Sequence, residues 1–230
     1  MTREVSPSSI IERAYCGRRS VFLTCQERGL RACPPVQELG VPVTVHAGEW
    51  PCGGEFGSWP ADNLELALRL GVQRIGHGCA LFSPADKPGV SALADQAVMK
   101  GVTVECCLTS NVGWKVKSYA EHPIADMVRA GVLVTLNCDN LLLSGAADRP
   151  ARPSGEVRRF LRDVNQGCGF SAQTLLRVLA NGVNGSFVLK FWPVAERTRF
   201  IQAYTSECKR VMQEIFPSEV AGRGSEILVI

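Results

Sequence analysis

Four short apolar runs constrain this chain more than any other feature, because each of them ends in residues that carry chemistry. They are VTVHAGE (Val43 to Glu49), RIGHG (Arg74 to Gly78), VTVECCLTSN (Val102 to Asn111) and LVTLNCDN (Leu133 to Asn140). Segments with helical spacing lie between them. Asp62 and Asn63 stand where an N-cap is expected for a helix carrying Leu64, Leu66, Leu68 and Leu70, and Gly71 ends it. Residues 91–100 and 123–130 read as two further helices, stopped by Gly101 and Gly131. Each of these glycines is followed at once by the next apolar run. The pattern thus repeats at about 30 residues, the length of one βα unit. Continuous Val, Ile and Leu runs are what parallel strands covered on both faces look like. Repeated βα units bring the ends of successive strands to one rim, and that rim is where a (β/α) barrel carries its active site.

Beyond the fourth run the chain turns helical. Residues 155–164, 172–183 and 194–216 carry apolar side chains three and four apart, and Leu175, Leu176, Val178 and Leu179 form a packing stripe. They are expected to be plain core helices without chemistry. Residues 217–230 read as a loose tail. The first 35 residues mix Arg, Cys and Pro without clear periodicity and remain an unassigned segment.

Composition narrows the function classes. With 46% hydrophobic and 20% charged residues, the chain has enough apolar side chains for a core and is not a disordered polyelectrolyte. A net charge of +3, not clustered, gives no reason to expect nucleic acid or an anionic membrane as partner. Neither a signal peptide nor a run of about 18 apolar residues is present, so a cytoplasmic protein is expected. Ten cysteines without any C-x-x-C pair read as reduced thiols rather than as a disulfide framework or a Cys-based zinc site. Cys106 and Cys107 in particular sit in an apolar run, where cysteine behaves as a small hydrophobe.

His46 at a strand end has the chemistry of a zinc ligand, since neutral imidazole suits a borderline metal and strand ends hold side chains firmly. Gly48 lets a ligand approach the backbone, and Glu49 follows immediately. His77 lies between two glycines, and Asp139 follows an apolar strand. His122, in EHP, reads as structural.

The motifs HAGE, GHG and the terminal Asn-Cys-Asp-Asn (residues 137–140) resemble those of the zinc-dependent adenosine deaminase family. The resemblance covers residues 36–216 and implies a partial TIM-type (β/α) barrel: roughly its last four βα units plus C-terminal helices. It implies hydrolytic deamination of adenosine, or a related purine nucleoside, to inosine and ammonia. His46 and Asp139 would be ligands to one Zn2+. Glu49 would protonate the purine ring nitrogen N1, His77 would orient the attacking water and assist its deprotonation, and Asn140 and Gly48 would contact substrate, Asn140 at N7. A His-x-His on the family's first strand supplies two further zinc ligands, and it has no counterpart among the three histidines of this chain, His46, His77 and His122. A catalytic zinc commonly needs three protein ligands. The chain as given is therefore expected to be a truncated, impaired deaminase; the alternative is a catalytically inactive remnant that acts, if folded, as a binding protein. Oligomeric state is not readable from these features.

Overall fold

The computed structural model describes residues 21–23, 42–49, 60–82, 90–112, 115–139 and 170–217. The expected helix at 155–164, the tail beyond 217 and Asn140 lie outside the described residues. Five strands form one parallel sheet in chain order: β1 (Val21–Leu23), β2 (Val43–Ala47), β3 (Arg74–His77), β4 (Thr103–Cys106) and β5 (Leu133–Leu136). Helices α1 (Pro60–Leu70), α2 (Val90–Met99), α3 (Leu108–Asn111) and α4 (Ile124–Arg129) connect β2 to β5, and α5 (Ala172–Asn184) and α6 (Val194–Ile215) follow. Sequential parallel strands joined through helices are the arc of a (β/α) barrel, as the sequence repeat predicts. β1 was not expected: it lies in the unassigned opening segment and pairs parallel with β2 through Val21 and Val43. At three residues it is too short to show periodicity.

The sheet is held by a row of register partners. Val45, Ile75, Val104 and Val134 stand side by side across β2 to β5, and all four are fully buried. Burial of each such side chain contributes roughly 1.5–3 kcal/mol. Leu64 and Leu68 of α1 and Met127 of α4 belong to the same core.

Helix ends follow the expected chemistry with one correction. Gly71, Gly101 and Gly131 all take positive φ, at 77°, 62° and 82°, closing α1, α2 and α4 in the left-handed conformation that spares a Cβ clash. α1, however, begins at Pro60, so Asp62 and Asn63 lie in its first turn and not at its cap. Proline suits the first helical position because its missing N–H has no partner there in any case. Lys100 donates to the carbonyl of Leu68 at 3.0 Å near the C-terminal end of α1.

The sheet's inner face also departs from a uniformly apolar expectation. Arg74 Nε meets Glu105 Oε1 at 2.5 Å, Thr44 Oγ1 donates to the same oxygen at 3.1 Å, and Arg74 NH2 donates to Thr135 Oγ1 at 3.2 Å. Side chains alternate between faces along a strand, so Thr44, Arg74, Glu105 and Thr135 line one side while the valine row lines the other. The remaining NH1 group donates to the carbonyl of Gly185 at 2.7 Å and thereby ties the end of α5 to the sheet.

α5 is capped by Ser171, whose Oγ accepts from the Thr174 N–H at 3.3 Å. Asn181 of α5 donates to the Val134 carbonyl of β5 at 3.0 Å, and Tyr204 of α6 donates to the Leu179 carbonyl at 2.9 Å. The stripe Leu175, Leu176, Val178 and Leu179 is buried as expected. Among the described residues, Cys79, Cys106, Cys107, Cys138 and Cys208 are not joined in disulfides. Burial pushes the Cys106 and Cys107 thiols well up, so both are inert packing groups. Among the described residues no helix is long and apolar enough to cross a membrane.

Candidate active site

β2 delivers His46 at its C-terminal end, one strand from Gly76 in the parallel register. A Cβ on Gly76 would come within 3.0 Å of the His46 ring, so the glycine makes room for that imidazole. The chain then turns at Gly48 (φ 71°), where an added Cβ would strike the Leu64 side chain at 2.7 Å. Packing of the turn onto α1 thus accounts for this glycine. Glu49 follows directly and points back to β3, where its Oε2 lies 3.3 Å from His77 Nε2.

His77 is the pivot. By strict alternation its side chain belongs on the face of Ile75, among the core helices. Its φ of +68° breaks the alternation, and the ring instead meets His46 edge-on with centroids 4.8 Å apart. Among the described residues only His77 and Asp139 (φ 39°) are non-glycines with positive φ. Such a conformation costs of order 1–3 kcal/mol and persists where surrounding structure enforces it. Both residues are ones the sequence motifs single out.

His46, Glu49 and His77 bring their ligand atoms within 4.8 Å of one another, a group able to hold a metal ion. Asp139 follows β5 on the same rim, and its Oδ2 accepts from Ser110 Oγ at 2.6 Å. The donors are imidazole nitrogens and carboxylate oxygens, a set that suits zinc. Glu105 is not part of this group. Its carboxylate is spent on Arg74 and Thr44.

Beneath the rim lies a buried polar chain that the sequence motifs did not single out. His77 Nδ1 is 3.1 Å from Asn111 Nδ2, Asn111 Oδ1 is 3.2 Å from His122 Nε2, and His122 Nδ1 accepts from the Ile124 N–H at 3.2 Å. Cys79 Sγ also donates to Asn111 Oδ1, at 3.3 Å. Asn111 is fully buried, and the only sequence signal for it is its place at the end of the VTVECCLTSN run. Burial pushes His77 down to about 4, helped by the adjacent His46 and opposed by Asp139 and Glu105. Burial likewise pushes His122 down to about 4, with His77 adding to the effect.

A cavity of about 500 Å3 opens at the opposite, N-terminal end of the strands, lined in part by Arg74, Lys100, Thr103 and Gly185. Ligands of parallel α/β sheets bind at the carboxyl ends of strands, and the Arg74 donors in this cavity are already engaged. The candidate site is therefore the rim.

Comparison with known proteins identifies the family. Residues 28–192 match the family model described as adenosine deaminase. The adenosine deaminase of Lacticaseibacillus casei is 32% identical over 206 residues, covering 87% of this chain and 52% of that protein. That of Enterococcus faecalis is 40% identical over 108 residues, 46% of this chain and 28% of the relative. A crystal structure of 5-methylcytosine deaminase from Klebsiella pneumoniae is similar with a TM-score of 0.46 and 20% identity, over 73% of this chain and 47% of that one. The chain spans about half the length of the first of these curated relatives. A match over well over half of its residues, with relatives at this identity, fixes its membership: the chain belongs to the adenosine deaminase family.

Proposed function

We propose that this rim performs the hydrolytic deamination of adenosine or a related purine nucleoside, in which nucleoside and water give the inosine-type product and ammonia. The observation that carries the reading is the pairing of left-handed backbone at His77 and Asp139 with the convergence of His46, Glu49 and His77. Backbone strain at catalytic positions is a recurrent feature of active sites.

Glu49 sits where a carboxylic acid delivers a proton to N1 of the purine, which makes C6 electrophilic. His77, held by its contacts to Glu49 and Asn111, orients the attacking water beside that carbon. The site encloses Glu49 partly, leaving its side chain 14% exposed, a setting in which general acids are found. His46 and Asp139 would hold a zinc ion, which when present supplies Lewis-acid activation of the water, lowering its pKa from about 15.7 towards ~7. On the substrate side the reading assigns Gly48 and, from the sequence alone, Asn140, whose amide NH2 can donate to N7 without needing a shifted pKa.

Two ligands leave a zinc ion weakly held, so the 230-residue chain by itself should contain little zinc and turn over little adenosine. The competing reading, a catalytically inactive remnant that binds a partner, is favoured by its having only three histidines. Both are tested by measuring zinc content and inosine formation for this chain and for a fusion that supplies a His-x-His strand ahead of residue 36. The deaminase reading expects the fusion to gain stoichiometric zinc and turnover. A fusion that fills with zinc yet leaves adenosine intact sinks it.

A further inference from the structure

We infer that Asn111 and His122 are positioning residues that fix which nitrogen of His77 carries the proton, so that His77 presents an N–H to the reaction rim. The inference rests on donor and acceptor bookkeeping that starts from a group with no choice. A backbone N–H only donates, and that of Ile124 lies 3.2 Å from His122 Nδ1, so Nδ1 must accept. Neutral His122 then carries its proton on Nε2, which donates to Asn111 Oδ1. Cys79 Sγ–H approaches that same oxygen, in keeping with its being the carbonyl end of the amide. The amide nitrogen of Asn111 is thereby turned towards His77 and donates to Nδ1. His77 Nδ1 is an acceptor in turn, and its proton resides on Nε2, which faces Glu49 Oε2.

Three hydrogen bonds therefore run in one direction, from a backbone amide at the start of α4 to His77 Nδ1, and leave the Nε2–H of His77 facing the rim, 3.3 Å from the Glu49 carboxylate. Such chains polarise each link in turn, and reversing one link requires reversing all of them. Asn111, His122 and His77 are each at most 2% exposed, so water is not at hand to satisfy a reversed link. A His77 that carries Nε2–H meets the attacking water, or the oxygen it becomes, as a hydrogen-bond donor rather than as a ready base. That meaning rests on the deaminase reading of the rim; the proton's location does not.

The chain's three histidines make the test direct. Side-chain 15N NMR of the metal-free protein, with signals assigned through His46→Gln and His122→Gln, reads the protonation of each nitrogen without substrate or turnover. The expected result is a bare Nδ1 and a protonated Nε2 on both His77 and His122, with a through-hydrogen-bond coupling between Asn111 Nδ2 and His77 Nδ1. Asn111→Asp then replaces the donor with an acceptor of the same shape. His77 should move its proton onto Nδ1 while His122 keeps its own on Nε2. A merely structural role for Asn111 would not transfer a proton across the His77 ring. A protonated Nδ1 on His77 in the parent protein overturns the inference even if the variant fails to fold, and so does a folded Asn111→Asp that leaves Nδ1 bare. Because neither measurement involves adenosine or zinc, loss of the deaminase reading leaves this result standing, and the reverse also holds.

Discussion

Two polar clusters occupy successive levels of the same sheet, and they obey different rules. In the lower one, Arg74 directs its donors to Glu105, Thr135 and the Gly185 carbonyl, and Glu105 takes a further bond from Thr44. These side chains reach one another through ordinary strand alternation. In the upper one, His77 leaves the alternation through a positive φ and meets His46 and Glu49. The lower cluster closes on protein partners and ties α5 to the strands. The upper one keeps unfavourable backbone and leaves its groups on the rim where strands end. A polar group inside a barrel is thus not evidence of function by itself; what separates the two is whether the backbone has been distorted to bring it there.

The sharpest way to break this contrast is to test the upper cluster for chemistry. In a zinc-competent fusion, Glu49→Gln should lower deamination by about 10^2–10^4-fold with zinc content unchanged, because the amide keeps the shape but does not donate the N1 proton. Steady-state rates with elemental analysis check it, and parental turnover would take Glu49 out of the mechanism. Damage to the lower cluster should read out as stability instead. Arg74→Met strands the Glu105 carboxylate in the barrel interior and should cost about 3 kcal/mol, at the low end for a buried pair because both side chains keep some exposure. Adding Glu105→Gln should recover part of that loss in urea denaturation.

The buried histidines sharpen the comparison through pH. Burial holds His122 down at about 4, below the 6.5 usual for a histidine. The unfolded chain therefore binds a proton that the folded one refuses between those two values, and stability is intact above about pH 6.5 and falls as pH drops towards 4. The loss should be on the order of 3 kcal/mol for this residue. Denaturation curves across the window should show the slope flattened in His122→Gln. The smallest effect is expected at Asp139→Gly: relief of its left-handed backbone should roughly offset loss of the exposed Ser110 hydrogen bond, leaving stability within ~1 kcal/mol while zinc uptake by the fusion falls. A large destabilisation there would erase the distinction between the clusters.

Reading the chain in order revealed the parallel βα units because their signal is local. Gly71, Gly101 and Gly131 stop helices that face the next apolar run, and the glycines take the conformation their type allows. The convergence of the candidate residues His46, Glu49 and His77 was readable for a related reason, as each sits within a short motif at a strand end. The Asn111–His122 link was not readable, since eleven residues and a change of element separate the two and only folding makes them neighbours. Arg74 and Glu105 were hidden similarly: their pairing spans 31 positions and depends on the β3–β4 register.

The sequence by itself determined the order of β2 to β5 and of the glycine-stopped helices between them, the packing face of α5, and the types of side chain carried to the rim. Hydrophobic periodicity and helix-stopping glycines act over a few residues, so they are written into the chain directly. Only the tertiary structure decided where those side chains point. The sign of φ at His77, the N-terminal proline of α1 that displaced the expected cap, the partner chosen by Glu105 and the direction of the hydrogen bonds through Asn111 all depend on groups brought together from distant segments. Buried donors and acceptors must be matched across the whole core, and that matching has no local spelling.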